Sequence, residues 1–133
     1  MKLIKYIILF LVIVGCRSFS SDENTVDATA LLILNSADDM IITCQKNRID
    51  IDSSIVAMYH DSKNEEMVFL KATLPEFRIL SRREKAIENI VEYAIEAAAN
   101  VDDDILVARM IITRTDSSNW RIQKLDLEHW IGN

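Results

Sequence analysis

Glycine is almost absent from this chain of 133 residues, occurring only at Gly15 and Gly132. Phosphate-cradling loops, dinucleotide-binding turns and the G-x-S-x-G nucleophile elbow all need glycine where backbone approaches a ligand or takes a positive φ. None of them can be built here, which removes most nucleotide-dependent enzymes and the α/β-hydrolases. Pro75 is the only proline.

The chain opens with Lys2 and Lys5, then an unbroken apolar run from Tyr6 to Val14, followed directly by Gly15 and Cys16. A basic start, a short apolar stretch and a small residue at the cut follow the logic of an export signal. The run is about half of the roughly 20 residues a helix needs to cross a bilayer, so a permanent transmembrane anchor is not expected. The ending Ile13-Val14-Gly15-Cys16 resembles the lipobox of bacterial lipoproteins, where an aliphatic and a small residue precede the modified cysteine. That resemblance covers residues 1–17. It implies diacylglycerol on the Cys16 sulfur, cleavage between Gly15 and Cys16, and a further acyl chain on the new amino terminus. Two or more chains anchor stably where one is marginal. The alternative is an ordinary secretory signal whose cysteine is incidental. Arg17 stands where enteric lipoproteins kept on the inner membrane carry aspartate, so the resemblance implies the outer membrane rather than the inner if the host is Gram-negative. The expected division is a signal peptide over 1–15, a lipidated N-terminus and polar tether over 16–25, and one domain over 26–133.

Losing Lys2 and Lys5 with the signal leaves 13 basic against 21 acidic residues, a net charge of −8. An acidic domain repels phosphate backbones, so no nucleic-acid partner is expected, whereas a cationic protein partner is compatible. With Cys16 carrying lipid, Cys44 has no partner in its own chain and reads as a small buried hydrophobe. No cofactor is expected.

Along the domain, Val26, Ala30, Ile33, Ala37, Met40, Ile41 and Cys44 recur at three- and four-residue steps, which favours a helix. Asn35 to Asp39 could instead turn a hairpin. Ser53–Tyr59 is apolar on both faces and suggests a covered strand. Glu66–Leu74 alternates as a second strand, closed by Pro75. Ser81 and Glu84 make an S-x-x-E capping box, and Ile87, Ile90, Val91, Ala94, Ala98 and Val101 form a helical stripe stopped by Asn100 and Asp102-Asp103-Asp104. Ile105–Thr115 is β-branched and alternating, hence a strand; Asp116–Asn119 turns, and Trp120–Leu127 returns. The parity of Trp120 and Ile122 differs from that of Leu125 and Leu127, so this strand either bulges near Gln123-Lys124 or is covered on both faces. The tail Glu128 to Asn133 carries Trp130 and Ile131 and is expected to dock on the domain, with Trp130 at the surface. The sum is an α+β domain: a small antiparallel sheet of about four strands with one or two helices packed on one face.

Glu84, Glu88, Glu92 and Glu96 stand at four-residue steps and would form one acidic ridge on the expected helix, mildly unfavourable through like-charge repulsion. The ridge reads as a docking face for a cationic partner or, more simply, as a solvated outer face. Arg82, Arg83 and Lys85 would crowd the helix's first turn against its dipole; an anion or lipid headgroup there would relieve them, although they can splay into water. Asp102-Asp103-Asp104 lacks the spacing, glycine and distal glutamate of a calcium loop. Asp50 and Asp52 would share one face of an extended segment. His60-Asp61 and Glu128-His129 are neighbours in sequence only, and no histidine–cysteine cluster suggests zinc. No catalytic or metal-binding residue is nominated. The expectation is a non-catalytic envelope lipoprotein whose domain binds another protein. The alternative is a periplasmic inhibitor or immunity protein against a cationic toxin or cell-wall hydrolase.

Overall fold

The computed structural model describes residues 25–115 and 119–132. The signal, Cys16, the tether and the centre of the turn at 116–118 lie outside them.

Helix α1 occupies residues 25–34, and after a 3-10 turn at Ala37–Asp39 helix α2 runs Met40–Lys46. The stripe expected for one helix is intact, with Val26, Ala30, Ile33, Ala37, Met40 and Cys44 fully buried, while Leu32 and Ile42, which fall off it, are exposed. The break comes at Asn35-Ser36, so this segment is two helices in line with the helical pattern and turned where the polar run falls.

A short strand β1, Ile49–Ile51, leads into two further helices, α3 at Ser53–His60 and α4 at Glu65–Thr73. Both replace expected strands. Each begins at a cap that an extended reading leaves idle: Asp52 Oδ2 accepts from Ser54 N at 3.0 Å, and Asn64 Oδ1 from Met67 N at 2.9 Å. Such caps contribute about 1 kcal/mol each. Ile55 and Tyr59, then Met67 and Leu70, are the buried pairs at helical spacing.

The larger correction lies at 77–101. The expected capped helix is a β-hairpin, β2 at Phe77–Ile87 and β3 at Ile90–Val101. A helix would put Ile90, Ala94 and Ala98 inward and leave Tyr93 and Ile95 outside its stripe. The hairpin buries Tyr93, Ile95, Ala97 and Ala99 on one face; for a side chain such as Ile95, that burial contributes about 1.5–3 kcal/mol. It also gives the next strand a full-length neighbour. Asp102-Asp103, expected as a helix stop, forms the turn into β4 at Asp104–Thr115, and β5 follows at Trp120–Trp130. Those last two strands match expectation, β5 extending further into the tail.

The sheet order is β1-β5-β4-β3-β2, antiparallel throughout except that β1 lies parallel to β5. The fold is α+β as expected, with the short β1 as a fifth strand. Gln123 is the bulged residue on β5: Ile111 faces Lys124 and Ile112 faces Ile122, leaving it without a counterpart. The bulge lets Ile122 and Leu125, three positions apart, enter the same core. That core joins the helices to one sheet face through Tyr93, Ile95, Leu106, Ala108, Met110 and Ile112. Among the described residues no helix is long and apolar enough to cross a membrane.

Candidate functional site

Among the described residues the helices pack on one side of the sheet and none covers the other, where strand pairing orders the side chains into transverse rows. Successive rows from β2 to β5 read Arg78-Ala98-Val107-Glu128, Ser81-Glu96-Arg109-Asp126, Arg83-Ala94-Ile111-Lys124 and Lys85-Glu92-Thr113-Arg121. On the two central strands Ala94, Ala98, Val107, Ile111 and Thr113 alternate with Glu92, Glu96 and Arg109, and the flanking strands carry charged residues at every position but Ser81. Arg109 is its hub: Nε donates to Glu96 and Nη1 to Glu128, each at 2.9 Å. The bonds from Glu128 and then Glu96 raise the Arg109 pKa, and the Arg109 bond chiefly lowers that of Glu128. Lys124 and Asp126 approach to 3.4 Å. Beside the hub lies an open depression of about 420 Å³, lined by Ser81, Arg83, Ala94, Glu96, Arg109, Ile111, Lys124 and Asp126. Such a surface can offer charge-matched contacts around a shallow apolar floor to a second macromolecule.

At the far edge, Arg121 fastens β5 to β1. Its Nη1 donates to Asp50 at 2.8 Å and its Nη2 to Asp52 at 3.0 Å. Asp52 is held below the usual carboxylate range first by the Ser54 hydroxyl and backbone N–H, and further by Arg121. Asp50 and Asp52 do share a side, as expected, and Arg121 occupies it. A second depression, about 390 Å³, opens between Cys44, Arg48, Asp50 and Trp120. Burial pushes the Cys44 thiol up to about 11, so it stays protonated and unreactive at neutral pH.

The four glutamates of the expected ridge do not stand together. Glu92 and Glu96 lie on the uncovered face, directly opposite β2's Lys85 and Ser81. Glu84 is opposite Tyr93, on the other face, and Glu88 sits in the hairpin turn with φ of 52°. A strand alternates faces every residue, so a four-step series survives as a line only within one strand. Arg82, Arg83 and Lys85 likewise crowd no helix terminus: Arg83 and Lys85 join the uncovered face, and Arg82 points to the helix side.

His60 is exposed at the end of α3, and Asp61 Oδ1 accepts from Lys63 N at 2.9 Å, so the two form no dyad. His129 turns away from Glu128 to the helix side, where Nε2 lies 2.8 Å from Asp104 Oδ2 and the ring stacks on Phe69 with centroids 4.2 Å apart. Among the described residues no three His, Cys, Asp or Glu side chains gather to hold a metal ion. Trp130 is 53% exposed, the surface tryptophan expected in the tail.

Compared with known proteins, the chain matches no family model, no curated protein and no solved structure.

Proposed function

We propose that this protein is a lipoprotein of the bacterial envelope whose domain binds another protein and performs no catalytic step. The lipobox-like Ile13-Val14-Gly15-Cys16 supports the anchor, and the helix-free sheet face supports the binding role. An open, charge-patterned surface with apolar residues set between the charges suits a protein partner better than a small molecule, which needs an enclosed and mostly apolar pocket. Held near the membrane by a short polar tether, the domain would serve assembly, a secretion or surface apparatus, or envelope maintenance.

Two measurements test this. Mass spectrometry of the mature amino terminus should find lipid on Cys16, and an unmodified Cys16 removes the anchor. A photo-crosslinking residue at Ile111, on the uncovered face, should capture one envelope protein reproducibly, while the same residue at Ile42, on the helical side, should not. Equal capture from both positions defeats the assignment of the face. The rival role, an inhibitor of a cationic toxin or hydrolase, keeps the net negative charge in its favour but loses the continuous glutamate ridge. It now requires Glu92 and Glu96 to act alongside Asp126 and Glu128, among the cations that share their face.

A further inference from the structure

The longest open edge of the sheet carries charge opposite in sign to the protein as a whole. Strand β2 ends the sheet, with β3 on one side and, among the described residues, no strand on the other. It bears four basic residues and one acidic residue in a chain of net charge −6. From Leu80 to Ile87 every residue except Arg82 is exposed. Near its start the N–H of Phe77 is taken by Asn35 Oδ1 at 2.8 Å; beyond it, alternate backbone groups face outward as a template for another strand.

The irregularity at Leu80 shifts the side-chain parity, so Arg78 lies on the same face as Arg83 and Lys85. None of these three cations has a side-chain partner among the described residues, whereas Arg82, Arg109 and Arg121 are each engaged by carboxylates. The edge therefore presents unpaired backbone groups and unpaired positive charge together.

We propose that the β2 edge takes up an extended acidic segment of a partner protein as an added strand. Acidic side chains at every second position would stand beside Arg83 and Lys85, because alternate residues of a strand share a face. Cross-strand pairs of opposite charge stabilise such pairing and like charges oppose it. That same rule disfavours a second copy of this chain. Antiparallel pairing of two β2 strands puts Arg78 opposite Lys85 in one central register and Arg82 opposite its own copy in the other. An anionic bilayer would satisfy the charge and leave the outward backbone groups unmet, so a peptide is the better match.

The inference rests on the protein-binding reading and is tested with the full chain, by fluorescence anisotropy of a labelled short peptide alternating Glu and Val. Saturable binding is expected, weakened about tenfold or more by the double change Arg83→Glu and Lys85→Glu. The same peptide N-methylated at every residue, which keeps its charge and loses its backbone donors on both edges, should not bind; that comparison uses the unaltered chain and decides even if the variant fails to fold. Equal binding of the methylated peptide overturns the proposal. So does absent peptide binding, including the case in which phosphatidylglycerol vesicles bind instead and release on charge reversal. Capture from Ile111 with no peptide at the edge would sink the edge alone and leave the protein-binding reading standing.

Discussion

Arg82 Nη1 lies 2.6 Å from Asp27 Oδ2, so the outermost strand is fastened to the first helix across the core side of the sheet. Both side chains are largely shielded, at 24% and 28% exposed, and the other Asp27 oxygen is buried without a hydrogen bond. Removing the cation strands a carboxylate in a partly dry site. Arg82→Ala is expected to cost about 1–2 kcal/mol, below the cost at a fully buried pair because water still reaches both partners. Adding Asp27→Asn should cost less than the two changes summed, since residues that share an interaction do not add independently. Urea unfolding of the four proteins measures this, and strictly additive values would show the pair to be idle.

Leu74 ends helix α4 in the left-handed region, with φ of 46°. That conformation strains any side chain with a Cβ and suits glycine, the usual residue at this point of a helix. The Leu74 side chain is 46% exposed, so it gives up little packing if removed. Leu74→Gly should therefore stabilise the domain by about 0.5–1 kcal/mol, the gain from relieved strain outweighing the looser unfolded chain. Differential scanning calorimetry should show Tm rising by a few degrees; a fall would mean that the leucine contacts outweigh the strain.

Asp104 accepts from Gly132 N at 2.9 Å and from His129 Nε2 at 2.8 Å, pinning the chain's tail to the start of β4. The Gly132 bond first, then the His129 bond, hold its carboxyl below the ordinary range. A carboxyl with a lower pKa in the folded state stabilises the fold above its unfolded pKa, and that contribution fades as pH falls through the folded value. Stability should accordingly decline as pH drops below about 4, and Asp104→Asn should make that decline shallower. Tm measured across pH reads the difference. Superimposable acid limbs for the two proteins would dispose of this role for Asp104.

What could be seen in the sequence follows the range of the forces involved. The stripe from Val26 to Cys44 and the alternation of Ile105 to Ile112 report directly on which face is buried, and both stand in the structure. Residues 81–101 misled because Glu, Ala and Lys favour a helix locally, while Tyr93 and Ile95 are settled only when β4 lies alongside. The Glu88-Asn89 pair between two isoleucines was the local sign of a hairpin, and Asp52 and Asn64 were caps with short apolar runs behind them. The charged face was beyond reach from sequence. Its rows depend on register across four strands, and the Arg121 clamps join residues 71 and 69 positions apart. Losing the helix also dissolved the glutamate ridge.

Gln123 shows how much one residue of register controls. Ile122 and Leu125 are both buried, and they share a face only because Gln123 is left over between the partners of Ile111 and Ile112. Deleting Gln123 places Ile122 and Leu125 two positions apart, so strict alternation then holds both on the core face and every existing pair of β4 with β5 is kept. Trp120 and Leu127 stay against the core as well, and His129 keeps its contact with Asp104. Loss of a single buried Leu or Ile side chain typically costs about 2–5 kcal/mol, and a domain has only about 5–15 kcal/mol in all. The deletion empties no part of the core and should therefore unfold cooperatively within about 1–2 kcal/mol of the parent, whereas Ile122→Ala should lose the larger amount. Near-UV circular dichroism through urea distinguishes them, and loss of the native spectrum on deletion would mean that the bend at the bulge, beyond the facing of side chains, is needed to fit β5 to its neighbours.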